Sequence, residues 1–387
     1  MLIKKNNIFL VNLIITVILY STLILGFYLN EDSLGGAIHD YNYHLPIVLA
    51  FKKNILDSFL IYGSNEMIAR NSPIFYIIFG ALCKFIENVD IIRLINAHIL
   101  LIIIFFFYKS LEIKFYYIKK EILYLISIAF FLSPTLRSLS IWPYPLVYAI
   151  LFFVISIYFF LKFINEKKNI YKYALSNILF LALSSYFTPN FCVFSIFFFF
   201  KFFQKYKFTF KIYILILLNL LLALPAILFS IKRNFFYFNY DVSNISFLEK
   251  INISNKIILI LTIIFFHLLP FLLIIIKKTI LSKKELISII IIFFISVIFF
   301  GFPKEYNGGG GILYHLSNFL TKNNFLLFFI FFISLIYLNE ITQKLYYNYF
   351  LIILLIPYNL QFSIYHKYFE PLIFIIFFLL SKNIIKK

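Results

Sequence analysis

Twelve stretches of almost unbroken apolar sequence fill most of this chain, near residues 8–29, 91–108, 121–134, 143–162, 171–188, 190–204, 211–231, 257–276, 285–301, 325–339, 347–361 and 366–381. An apolar helix of about 20 residues matches the roughly 30 Å hydrocarbon core of a bilayer. In lipid each backbone polar group must find its partner within the protein, and a helix achieves this within one segment. The pattern therefore predicts an all-α polytopic membrane protein of about twelve transmembrane helices, forming one integral membrane domain over residues 1–387. Composition excludes a soluble globule, with 63% apolar residues and a mean hydropathy of +0.96. A net charge of +19 would suggest nucleic acid on a soluble domain. Here the lysines gather in short loops between apolar runs, as the positive-inside rule expects, so no nucleic-acid partner is expected. The two cysteines, Cys83 and Cys192, have neither disulfide nor metal-ligand spacing. The first run is long enough to span and lacks a small-residue cleavage site, so it reads as a retained helix.

Residues 73–86 form a thirteenth, ambiguous run. As a helix its 14 residues reach about 21 Å, short of the core. Charge decides its placement. If it lies in the interface, the loops on the side of Lys4 and Lys5 hold 22 basic residues against five acids, and the remainder holds 13 against 11. If it crosses, Lys109, Lys114, Lys119 and Lys120 change sides and every later loop inverts. The first arrangement is expected, with an interfacial or re-entrant helix at 73–86 and both termini cytoplasmic. It suits an inner (plasma) membrane protein with its active site on the extracytoplasmic face. The longer polar loops all fall on that face.

The first of those loops, residues 30–90, carries Glu31, Asp32, Asp40, Asp57 and Glu66 in its most polar part. Within it, HDYNYHLPIVLAF at 39–51 places Asp40 and His44 four residues apart, on one face of a helix. A carboxylate beside a histidine just above the bilayer suits a general base for an acceptor hydroxyl or amine. The same segment also reads as an interfacial helix whose polar residues only face water.

After that loop come SPIFYIIFGALCKF and then DIIRLINAHILLI, an acid-x-x-Arg-Leu step into a helix. Together with the long first helix and the acid-bearing loop, this pattern over residues 1–165 resembles the GT-C class of membrane glycosyltransferases. It is most similar to bacterial relatives of the protein O-mannosyltransferase, aminoarabinose transferase and lipopolysaccharide galacturonosyltransferase group. The resemblance implies transfer of a sugar from a polyprenyl-phosphate donor to a lipid, glycan or protein acceptor, with an acid of the first outer loop at the reaction centre. That role falls to Asp40 first, with His44 beside it and Asp32 and Glu31 as rivals. A common form of the family has Asp-Glu together, whereas Tyr41 follows Asp40 here.

Donor phosphate suggests cations. Arg137, in LSPTLRSLSIWPYP, is one of only four arginines, and guanidinium suits bidentate phosphate recognition. His366 and Lys367 in IYHKYFEP, and Arg70 in the first loop, complete the candidate set. Each also reads as a headgroup anchor. Four consecutive glycines at 308–311 do not form a P-loop, since no Gly-Lys-Ser/Thr follows. They read as a mobile outer loop flanked by Lys304, Glu305 and His315. No cofactor is expected, and no metal-ligand spacing indicates a divalent ion. Two other classes stay open: a transporter or flippase for a lipid-linked saccharide, and a polysaccharide polymerase or ligase.

Overall fold

The computed structural model describes residues 2–64, 66–67, 72–232, 252–275, 281–302, 309–342, 345–359 and 363–382. Among these the secondary structure is helical, with an isolated bridge between Tyr62 and Met67 and no strand. The chain divides into two compact units, Met1–Phe236 and Tyr237–Lys387.

Each of the twelve apolar runs becomes helix. Five helical stretches are long and apolar enough to cross a bilayer: Leu10–Tyr28, Val89–Lys114, Pro145–Asn165, Phe210–Ile231 and Ile253–Phe271. The pair Lys120–Leu132 and Pro134–Ile141, bent by 63° where Ser133-Pro134 begins a new helix, makes a sixth if it is counted as one span. The remaining runs include shorter helices, such as Tyr346–Tyr358 with 13 residues. At 1.5 Å per residue such a helix is only about 20 Å long.

The first unit begins with α1 (Leu2–Tyr28), which leads into α2 (Ala37–Lys53), α3 (Ile55–Ile61), α4 (Ile74–Phe85) and α5 (Val89–Ala97). Next come α6 (Ile99–Lys114), α7 (Lys120–Ile128), α8 (Pro134–Ile141), α9 (Pro145–Asn165), α10 (Ile170–Phe187), α11 (Phe194–Tyr206) and α12 (Phe210–Lys232). The core is α9, whose Phe153 and Phe160 are fully buried and meet Phe194 and Phe198 of α11. The Asn177 amide on α10 donates to the Ser156 carbonyl at 2.9 Å and to its hydroxyl at 2.8 Å, pinning α10 to α9. In an apolar setting such cross-helix hydrogen bonds fix register where hydrophobicity alone does not.

Residue pairings sort this unit into two ends. At one end the Arg93 Nη2 donates to Asn30 at 3.0 Å, Arg137 meets Glu31, and Tyr148 donates to Asn96 at 2.7 Å. At the other, Lys109 and Lys120 both reach Glu112, the Lys205 Nζ donates to the Phe163 carbonyl, and Tyr171 packs on Tyr206. The end of α1 and the start of α5 therefore lie at the same end of the unit. Helix α4 stays there too. Its Gly80 lies so close to α2 that a Cβ would come within 2.7 Å of Phe51, and its Phe75 and Phe79 rings reach Tyr148. The end with Glu112 is rich in lysine, while the end with Glu31 gathers the acids of residues 30–90.

The second unit contains α13 (Ile253–Ile275), α14 (Lys283–Ile298), α15 (Gly311–Thr321), α16 (Phe325–Ile341), α17 (Tyr346–Tyr358) and α18 (His366–Ile375), which closes in a π-turn at Ile376–Leu380.

Candidate functional site

The acid-bearing end of the first unit is built where α1 stops. Asn30 takes a left-handed turn (φ 54°), and the Glu31 amide donates back to the Gly26 carbonyl at 2.8 Å. This folds the Glu31 side chain against α1, where Arg137 of α8 meets it twice, Nε to Oε1 at 2.8 Å and Nη2 to Oε2 at 2.5 Å. The other guanidinium hydrogens donate to the Thr22 hydroxyl at 3.0 Å, the Phe131 carbonyl at 3.3 Å and the Thr22 carbonyl at 2.9 Å. All five donors of the fork are therefore engaged. Position 26 must be small, because a Cβ there would collide with the Glu31 carboxylate and crowd Arg137. The hydrogen bonds from Arg137 hold the Glu31 carboxyl below its ordinary value of 4.5.

Asp32 has a different task. Its two carboxylate oxygens accept from the amides of Gly35, Gly36, Ala37 and Ile38 at 3.1, 2.9, 3.0 and 3.4 Å. These are the amides that open α2, and a helix start leaves such donors unsatisfied and favours negative charge. Gly35 has φ 73°, which glycine adopts without steric cost. Asp32→Ala is expected to remove about 1 kcal/mol of stability, the usual worth of a cap. Thermal unfolding in detergent checks this, and Asp32→Asn should recover most of the loss.

Asp40 stands in the first turn of α2 and is half-buried, while His44 one turn later is buried. The His44 Nδ1 pairs with the Tyr76 hydroxyl at 2.5 Å, and the rings of Phe75 and Tyr144 border it. His44, Tyr41, Phe79, Cys83 and Arg93 line a cavity of about 20 Å³, space for one water and far too little for a sugar. Arg93 lies 3.7 Å over the Trp142 ring and donates to Asp90 at 2.9 Å. The Trp142 indole in turn donates to the Glu31 carbonyl at 2.9 Å. Arg93, Trp142, Arg137 and Glu31 thus form one clamp across α1, α5 and α8. In the sequence Arg93 stands within DIIRLINAHILLI with no task apparent from its neighbours. The signal was a single arginine three residues after an acid at a helix start.

No protein-family model, curated protein or solved structure matches the chain. The site therefore stands on its own residues.

Arg70, Lys304 and Glu305 lie outside the described residues. The other late candidates belong to the second unit. His366 opens α18. Its Nε2 accepts from the Ile312 amide at 2.8 Å, so the ring is neutral with its hydrogen on Nδ1, which donates to the His267 Nε2 at 3.0 Å. The glycine segment fits closely here, since a Cβ at Gly311 would touch the His366 Nε2 and Ile263. His366 in this state is a structural acceptor rather than a cation. Lys367 is half-buried, with its ammonium 5.4 and 5.7 Å from the ring centres of Tyr365 and Tyr368. His315 is exposed on α15. Among the described residues, no three His, Cys, Asp or Glu side chains gather as a metal site.

Proposed function

We propose that this chain is a membrane glycosyltransferase of the GT-C kind, carrying a sugar from a polyprenyl-phosphate donor to a lipid, glycan or protein acceptor. The observation that supports it is the division of labour among the acids of the first loop. Glu31 is engaged by Arg137 and Asp32 by the start of α2, and Asp40 is half-buried in the first turn of that firmly held helix, one turn before the buried His44. A base must meet its substrate and also keep its place, and that combination belongs to Asp40. In the reaction, the Asp40 carboxylate takes the acceptor proton as the acceptor oxygen or nitrogen bonds to the anomeric carbon. The bond from that carbon to the phosphate oxygen breaks, and polyprenyl phosphate leaves with the electron pair. Cations near the leaving phosphate stabilise its developing charge. Arg70 of the same loop is the candidate for that task. Arg137 serves first as the tie that holds the loop, and a phosphate would reach it only by displacing Glu31.

The proposal includes about twelve spans, cytoplasmic termini and the Asp40 end on the extracytoplasmic face of the inner (plasma) membrane. The lysine-rich chemistry of the opposite end supports this orientation. Deleting the gene should remove one sugar from an envelope lipid, glycan or protein and return that acceptor lighter by one residue in mass spectrometry. An unchanged envelope glycan profile, with the intact chain produced in the parent strain, would contradict the proposal.

A further inference from the structure

Lys256 is the charged side chain of the second unit whose surroundings leave most unexplained. It lies in the first turn of α13, is only 3% exposed, and its Nζ has no hydrogen-bond partner among the described residues. Helical side chains lean toward the amino-terminal end, so the ammonium is directed at the start of α13. That start is held in place. The Asn252 amide nitrogen donates to the Phe299 carbonyl at 3.1 Å, and the Gly301 amide donates to Asn255 at 2.9 Å. Phe302 follows and packs edge-on against the fully buried Tyr314 of α15. Lys256 is therefore buried within one turn of the point where α13 meets the end of α14.

An ammonium removed from water without a partner is costly, and the positive end of a helix dipole adds to the cost. Both terms change sign when an anion binds. An anion there would meet a point charge and the favourable end of a 23-residue helix together. The position narrows the ligand. Lys256 sits at the polar end of the apolar stretch Ile253–Phe271, where a spanning helix meets lipid headgroups. Phosphate is the anion that bilayers present at that depth.

We propose that Lys256 forms an anion site for the phosphate of a membrane-anchored lipid. Two sources carry that group: an acidic phospholipid of the bilayer, and the polyprenyl-phosphate moiety of a lipid-linked sugar. The second would connect the site to sugar transfer. The site itself rests on the second unit alone, so it and the Asp40 proposal fail independently.

The test uses the purified full chain in nanodiscs of phosphatidylcholine doped with either phosphatidylglycerol or polyprenyl monophosphate. Native mass spectrometry counts the lipids retained after release. The wild type is expected to retain one phosphate lipid, and the dopant retained more strongly identifies the source. Lys256→Met, which keeps the volume and removes the charge, should weaken retention at least about tenfold, while Lys256→Arg should preserve it. A photoreactive phosphatidylglycerol supplies a second readout on the wild type itself. It should cross-link to peptides spanning residues 252–256 or 299–302, and the preferred dopant should compete it away. Equal retention by wild type and Lys256→Met would overturn the proposal. So would cross-links confined to other peptides, or wild type retaining neither lipid, which would make Lys256 a buried neutral amine.

Discussion

Membranes carrying Asp40→Asn should form transfer product about 10²–10⁴-fold more slowly than wild-type membranes, the range that a positioned general base contributes. The substitution keeps shape and removes only the ability to accept the proton. Asp40 does not provide the cap of α2, which Asp32 supplies with four backbone hydrogen bonds. Because the change is isosteric and leaves that cap intact, the variant's melting temperature should stay close to that of wild type. A matched fall in stability would mean that Asp40 acts by holding the helix. His44→Gln gives the complementary comparison. His44 is buried against Tyr76, so its loss should lower stability as well as rate.

The largest effect on folding is expected at Arg137. Arg137→Ala removes five hydrogen bonds and leaves the Glu31 carboxylate without its partner. Breaking a buried ion pair from one side costs about 3–5 kcal/mol. The two side chains here are 12% and 22% exposed, so about 2–3 kcal/mol is the appropriate expectation. Glu31→Gln should cost less, and Glu31→Gln combined with Arg137→Met should cost less than the two single changes together. The pair also carries a pH signature. Because the folded-state pKa of Glu31 is depressed below 4.5, its contribution is fully present above that value and is lost as pH falls through the lower folded value. Melting curves between about pH 3 and 6 should show this slope in wild type, and Glu31→Gln should flatten it.

The helices were legible because apolar run length is a strong local signal, and each run became helix. Their depth in a bilayer was less legible. Runs broken by Ser-Pro at 133–134, or only 13 residues long as at Tyr346–Tyr358, do not state by composition alone how they cross. That residues 74–85 form a short helix was legible from their apolar run, while their placement relative to the bilayer rests on the charge argument alone. The pairing of Glu31 with Arg137 could not be read, since 106 residues separate them and either charge alone resembles a site residue. The same holds for Lys256, which stands just before the apolar run 257–276 in the sequence and is buried in the fold. Asp32 stands between these cases. An acid followed by a Gly-Gly pair and a helix is a recognisable capping pattern, yet it competes with a catalytic reading until the amide geometry is known.

Turnover of the donor by the purified protein tests the central claim most directly. Wild type and Asp40→Asn, each in nanodiscs, would be incubated with polyprenyl-phosphate sugars and an envelope lipid extract as acceptor. Free polyprenyl phosphate would be measured against time. The account expects wild type to release polyprenyl phosphate in step with the sugar gained by the acceptor, and Asp40→Asn to release about 10²–10⁴-fold less. Equal release by the two proteins, at matched folding and reconstitution, would contradict it.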